Sequence, residues 1–515
     1  MQLRAQQPPR FWASVLRLPL FLLLVGVFSA AMLVPAVYGG VARDLETARA
    51  FLYSSILGLS AFAMVGLAHA GRDPRHGALG PLMSLLCAFV ILPVLLAVPF
   101  YEGLGTTSFL NAYVEMVSAI TTTGATLFDD PERLNGTLHL WRGLVAWMGG
   151  MLMWIAASAI LAPLNLGGFE VTARAEPGRA QTREISMAAA EVRVRIAKVS
   201  AVLVPIYGGL TVLLWILLTV GGDPGLVALI HAMSVMATSG ISPVGGLTGS
   251  ASGMAGEAVM LLFMLFALSR LTFSTDTIAS DTGGLRNDPE FRIGIALVII
   301  VPAVLFIRHF LGAVDVSAEN DLLGAGRAFW GSAFTVMSFL TTTGFTSADW
   351  NAAQAWSGLA TPGLLVMGLA LIGGGVATTA GGVKLLRVFA LYLNGLREME
   401  RLVHPSSVSG GNPMGRRLQK GGAFIAWIFF MLFALTLALL TIALTAMGVA
   451  FETSLVIVVA GLSTTGPLLD VAVGTPIALA DLGGGAKGIF IAAMVLGRLE
   501  MLAIIALLTP DLWRG

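Results

Sequence analysis

Apolar residues along this chain gather into long runs, and most of the runs come in pairs divided by shorter, wetter stretches. A helix needs about 20 apolar residues to cross the hydrocarbon core of a bilayer. Ten runs read as crossing segments, from "LPLFLLLVGVFSAAMLVPAV", "FLYSSILGLSAFAMVGLA" and "LMSLLCAFVILPVLLAV" to "AFIAWIFFMLFALTLALLTIAL" and "GIFIAAMVLGRLEMLAIIALLT". The first reads as a span rather than a secretory signal, because it is long and further spans follow at once. Four of the wetter stretches share one layout: "NAYVEMVSAITTTGATLF", "VALIHAMSVMATSGISPVGG", "AFWGSAFTVMSFLTTTGFTSAD" and "TSLVIVVAGLSTTGPLLD". Each is a moderately apolar segment, then hydroxyl residues, then one glycine: Gly124, Gly240, Gly344 and Gly466. Six residues before these stand Ser118, Ser234, Ser338 and Ala460, so the correspondence runs back into a preceding helix. The pattern predicts an all-α integral membrane protein with a two-helix N-terminal extension over 1–78. Four pseudo-repeats of helix, pore loop and helix follow at 79–170, 190–280, 290–400 and 418–515, around a central ion pore.

Composition agrees with a lipid setting. Of 515 residues, 56% are hydrophobic and 11% charged, and mean hydropathy is +0.85, whereas a soluble domain carries about 25% charged residues. A net charge of +1 argues against nucleic acid as a partner. The one cysteine, Cys87, sits in an apolar run, and the six histidines form no metal-ligand pair. No glycine-rich nucleotide loop follows a strand, so the chain is expected to bind no ATP, NAD or other cofactor and to be no enzyme. Basic residues cluster at Arg4, Arg10 and Arg17; at Arg174, Arg179, Arg183, Arg193, Arg195 and Lys198; and at Lys384, Arg387, Arg397, Arg401, Arg416, Arg417 and Lys420. The positive-inside rule makes these connections and the N-terminus cytoplasmic. The threonine–glycine patches then lie toward the outside.

Read singly, each patch is an ordinary extracellular turn. Read as four copies between paired spans, they describe an ion filter. Irregular backbone at membrane depth survives only inside protein or beside a water-filled cavity. Four such loops round one axis would present carbonyls and hydroxyls in place of a cation's hydration shell, and glycine admits positive φ there. The filter set is Thr122, Thr123 and Gly124; Thr238, Ser239 and Gly240; Thr342, Thr343 and Gly344; Thr464, Thr465 and Gly466. Ser239 and Pro467 make the second and fourth copies depart from the others, so exact fourfold symmetry is not expected. Glu115 and His231, on the helices before two patches, read as structural, and Trp141 with Arg142 reads as an interfacial anchor.

Two further features interrupt the apolar runs themselves. "GGGVATTAGGV" places five glycines within Gly373–Gly382, which argues against a continuous helix. Either the glycines permit tight helix packing or they mark a broken helix. Arg498, deep in the last apolar run, is either a structural arginine or a charge facing a cavity. Glu500, two residues on, faces another side of a helix and is a poor partner for it.

These loops resemble those of the Trk/Ktr/HKT superfamily of potassium and sodium transporters, in particular the bacterial TrkH type. "WRGLVAWMGG", "NDPEFR", "GGGVATTAGGVKLLR", "LREMERLVHP" and "LGRLEMLAIIALLTPDLWR" carry the resemblance from about residue 80 to the end. It implies gated potassium uptake, with the segment 373–383 as an intramembrane gate and Arg498 in the pore below the filter. Gly373, Gly374, Gly375, Thr378, Thr379, Gly381 and Gly382 would then form that gate, with Lys384 at the cytoplasmic mouth. The resemblance further implies a homodimer in a bacterial cytoplasmic membrane, with a cytosolic regulatory subunit carrying nucleotide-binding domains. Within the superfamily a serine in place of the first-loop glycine goes with sodium preference, so Gly124 favours potassium. A sodium-permeable or poorly selective cation transporter on the same fold is the alternative.

Overall fold

The structure, a computed structural model, describes residues 18–69, 79–164, 166, 168–169, 188–269, 288–312, 322–359, 361–404, 420–501 and 503–504. Arg4, Arg10, Arg17, Arg174, Arg179, Arg183, Arg416 and Arg417 lie outside them. The regular elements among the described residues are all helices, with no strand among them. Helices α1 (Leu20–Val41) and α2 (Leu45–His69) pack on each other as the N-terminal pair. Four units then surround a central pore. The first has α3 (Gly80–Leu104), pore helix α4 (Phe109–Ile120) and α5 (Gly136–Leu164); the second has α6 (Val192–Val220), pore helix α7 (Gly225–Ala237) and α8 (Gly253–Ala267). The third has α9 (Pro289–Gly312), α10 (Leu322–Leu340), whose last turns form the pore helix, α11 (Trp350–Ser357), α12 (Pro362–Ile372) and α13 (Leu385–Val403). The fourth has α14 (Lys420–Ala446), pore helix α15 (Phe451–Leu462) and α16 (Gly484–Leu499).

Ten crossing segments were expected, but only seven described helices combine the apolarity and the length of at least 18 residues that a crossing requires. Three apolar runs stop short. At about 1.5 Å per residue, the 16 residues of α16 cover roughly 24 Å. Its run continues apolar in sequence, but Glu500 turns the backbone into the left-handed region (φ 62°). Helix α12 ends where Gly373 takes φ 73°. Apolarity continues through both breaks, so periodicity alone cannot find them.

Small residues let the outgoing helices press on the pore helices. A Cβ on Gly149 of α5 would overlap the Ile120 carbonyl, and one on Gly497 of α16 would overlap that of Leu462. Ile120 and Leu462 are the last residues of their pore helices, so both helices seat at the same point of their repeats. Trp141 and Arg142 are not interfacial anchors: they are 0% and 4% exposed. Trp141 donates to the Leu96 carbonyl (3.2 Å), and Arg142 pairs with Glu115 (2.6 Å). Helix α14 instead turns Phe424, Trp427, Leu435 and Ile442 outward, as a lipid-facing helix does.

Candidate ion pathway

All four pore helices end in the same way. After each last turn one threonine takes the left-handed conformation: Thr122 (φ 55°), Thr238 (52°), Thr342 (58°) and Thr464 (52°). The next N–H reaches back to a carbonyl five residues earlier. Thr123 bonds Ser118 (2.9 Å), Ser239 bonds Ser234 (3.0 Å), Thr343 bonds Ser338 (2.8 Å) and Thr465 bonds Ala460 (2.9 Å). The left-handed threonine itself bonds three back, to Ala119, Val235, Phe339 and Gly461. These paired bonds are the Schellman termination, a place glycine normally fills. Left-handed geometry costs an L-residue about 1–2 kcal/mol, and β-branched threonine is a poor choice for it, so its fourfold use marks a constrained site. Nothing in the letters signals it. Positive φ was expected at the glycines alone; Gly124 (71°), Gly240 (65°) and Gly344 (86°) show it, while Gly466 is not among the positive-φ residues.

The loops meet in a ring of close contacts. A Cβ on Gly124 would overlap the Ser239 carbonyl; one on Gly240 would overlap the Thr343 carbonyl and press Pro467. A Cβ on Gly344 would lie 2.8 Å from Pro467 Cγ, and one on Gly466 would overlap Ala125. Gly466 N–H also donates to the Thr123 carbonyl (2.6 Å), closing the fourth loop on the first. The pore helices aim their C-termini, the partly negative ends of their dipoles, at this ring. The hydroxyls of Thr122 and Thr464 are buried with no protein partner, whereas Thr342 Oγ1 accepts the Gly381 N–H (2.7 Å). The twelve residues expected to act together therefore converge, without fourfold equivalence.

The glycine-rich segment lies directly against this ring and is buried from Gly373 to Arg387. Its neck is held by Val383 N–H on Leu371 (2.9 Å), Lys384 N–H on Ile372 (2.9 Å) and Leu385 N–H on Gly374 (3.0 Å). Its tip touches three pore units: Thr379 Oγ1 donates to Met236 (3.3 Å), Gly381 contacts Thr342, and a Cβ on Gly381 would overlap Ser463 and Thr464. A cavity lined by Trp154, Met236, Thr238, Phe263, Thr378 and Thr379 lies between tip and ring. Gly373, Gly374, Gly375, Thr378, Thr379, Gly381 and Gly382 thus form one connected plug of backbone beside it.

Buried charged groups secure that plug. Arg498, 3% exposed, donates from Nη1 to the Thr379 carbonyl (2.7 Å), and its Nε and Nη2 find no protein acceptor. Glu290, in "NDPEFR", accepts the Val376 N–H (2.9 Å). Arg387 pairs with Glu500 (2.6 Å) and stacks on Phe429 at 3.6 Å. Glu500 thus serves Arg387 rather than Arg498. Lys384, expected at the cytoplasmic mouth, is instead 6% exposed and donates to the Ala380 carbonyl inside the same segment. Glu290 and the Arg387–Glu500 pair were missed because their partners lie 86 and 113 positions away.

On the other side of the ring, Asp470 follows the fourth loop. Although Asp470 is itself exposed, desolvation by the protein around it, with repulsion from Asp129, raises its pKa to about 6, and Asp129 is itself raised by desolvation and by Asp481.

The family model described as TrkH, cation transport protein, matches residues 293–512. The chain is similar to the Trk system potassium uptake protein TrkH of Halomonas elongata, 31% identical over 84% of each chain. It is 29% identical to TrkH of Salmonella typhimurium over 96% of this chain and 98% of that one. Its fold is similar to the crystal structure of the potassium transporter TrkH from Vibrio parahaemolyticus. That match has a TM-score of 0.78 and 27% identity, and it covers 98% of this chain and 100% of the other.

Proposed function

The chain belongs to the TrkH family of cation transport proteins, and from that membership we propose that it mediates gated potassium uptake across the bacterial cytoplasmic membrane. It is a transporter rather than an enzyme. In this reading the threonine–glycine ring is the selectivity filter and binds potassium, the cargo, through its carbonyls. The segment 373–383 is the gate beneath it, and Arg498 sets a fixed positive charge at the gate that limits cation occupancy of the pathway. One elementary charge moving through 100 mV changes free energy by about 2.3 kcal/mol, so a negative interior draws the ion inward without a coupled nucleotide. The N-terminus and basic connections are cytoplasmic in this reading. A homodimer and a cytosolic subunit with nucleotide-binding domains complete the assembly.

The observation that carries the proposal is the fourfold Schellman ending, with a strained threonine at the same place in each loop. Packing alone gives no reason to repeat that strain four times. The test is ion uptake into liposomes by the purified full-length protein. Uptake should favour potassium over sodium and should rise when the cytosolic subunit is added. Equal uptake of both ions would leave the sodium-permeable alternative standing, and uptake of neither with the subunit present would remove the proposal.

The mouth of the filter adds a pH dependence. Asp470, with a pKa near 6, is ionised above that pH and neutral below it, so acidification removes a negative charge that gathers cations. At low external potassium, the initial rate should fall about threefold as external pH drops from 7 to 5. In Asp470→Asn the rate at pH 7 should be lower and its fall with acidification smaller, Asp129 being left to titrate alone. An identical pH profile in the variant would remove Asp470 from this role.

A further inference from the structure

One register position behind the loops remains. Nine residues before Gly124, Gly240 and Gly344 stand Glu115, His231 and Thr335. All three are buried, at 2%, 0% and 0% exposure, and each fastens the chain as it leaves its own loop. Glu115 Oε2 accepts the Leu127 N–H (3.0 Å) and the Thr126 hydroxyl (3.4 Å). The Nε2 of His231 is 2.9 Å from Ser242 Oγ. Thr335 Oγ1 accepts the Ser347 N–H (3.3 Å). The fastened residues lie two or three positions after the glycine. Glu115 is itself anchored by Arg142 of α5, and the His231 ring meets Phe345 edge-on at 5.6 Å, linking the second loop to the third. Glu257 of α8 adds a clamp on the third exit, through Ser347 Oγ and the Ala348 N–H (both 2.7 Å).

The fourth copy has Ile457 at this register, which offers no polar atom. There the exit closes on itself: Leu469 N–H bonds Gly466 (2.9 Å) in the single turn Leu468–Val471. One role is thus filled by a carboxylate, an imidazole and a hydroxyl, and by a backbone turn in the fourth loop.

We infer that the residue nine before the loop glycine is a positioning residue whose bond to the exit strand sets how sharply the ring separates potassium from sodium. The inference rests on the filter reading. A carbonyl ring discriminates by the number and placement of its dipoles, and an exit strand free to shift lets the loop contract onto the smaller ion. Fastening the strand from behind restrains that contraction. The three side chains differ in charge, so positioning can be separated from electrostatics: Thr335 carries no charge and should still matter.

The test compares initial potassium and sodium uptake by the full-length protein in liposomes, for wild type, Glu115→Gln, Thr335→Val and Gly124→Ser. Each variant is first checked by size-exclusion elution. The potassium-to-sodium ratio should fall at least about threefold in Glu115→Gln and Thr335→Val, the scale of one lost hydrogen bond. Maximal potassium flux should fall by less than that, and Thr335→Ser should restore the ratio. An unchanged ratio in both variants, with Gly124→Ser lowered, would overturn the brace and leave the filter standing. An unchanged ratio in all variants, the glycine included, would overturn both. Should Glu115→Gln fail to fold, with Arg142 left unpaired, Thr335→Val decides alone.

Discussion

Gly124→Ser is expected to lower the preference for potassium over sodium at least about tenfold, equivalent to about 1.4 kcal/mol. Two physical effects act together. Gly124 holds φ 71°, a conformation that disfavours any L side chain. The added Cβ would also overlap the Ser239 carbonyl oxygen, so the first loop must withdraw from the second. The ring then loses the spacing on which selection depends. Gly209→Ser supplies the control, since a Cβ there meets nothing within 4 Å; it should leave the ratio unchanged. Competition of the two ions for uptake in liposomes reads both. If Gly124→Ser retains the wild-type ratio, the threonine–glycine ring is not the filter.

Deleting residues 376–380 should raise potassium flux in the absence of the cytosolic subunit by about tenfold or more, the scale expected when a closed state loses about 1.4 kcal/mol of its bias. The deletion removes the Val376 bond to Glu290, the Thr379 carbonyl that Arg498 holds, and the Thr379 contact with Met236. It spares the neck, where residues 383–385 bond Leu371, Ile372 and Gly374. Helices α12 and α13 therefore stay joined at their facing ends. Arg498→Ala removes one of the same contacts and should give a smaller rise in the same direction. Flux that stays low and subunit-dependent in a correctly eluting deletion variant would rule out the gate.

The letters carried some of this and not the rest. The places of Gly124, Gly240, Gly344 and Gly466 were legible because four stretches repeat one order of apolar, hydroxyl and glycine residues. The break after Ile372 was legible because five glycines crowd together. The left-handed threonines were not, since residue type favours extended or right-handed backbone there and only assembly imposes the turn. Burial of Arg142 and Lys384 was not legible either. A basic residue near an apolar run reads as a headgroup anchor until its partners are known, and Glu115 and the Ala380 carbonyl are visible only in the fold. The early stop of α16 belongs with these: spacing told against an Arg498–Glu500 pair, but the left-handed turn at Glu500 and its distant partner Arg387 are visible only in the fold.

The contact between Gly466 and Thr123 has a consequence for biogenesis. Synthesis proceeds from the N-terminus, so the first loop emerges long before the fourth, and the ring bond joins residues 343 positions apart. Until the last repeat has inserted, Thr122 must hold its strained turn without the neighbour that locks it, or relax. In the filter reading, a nascent or truncated chain has no complete ring, and selective conduction waits for the final segment of the polypeptide.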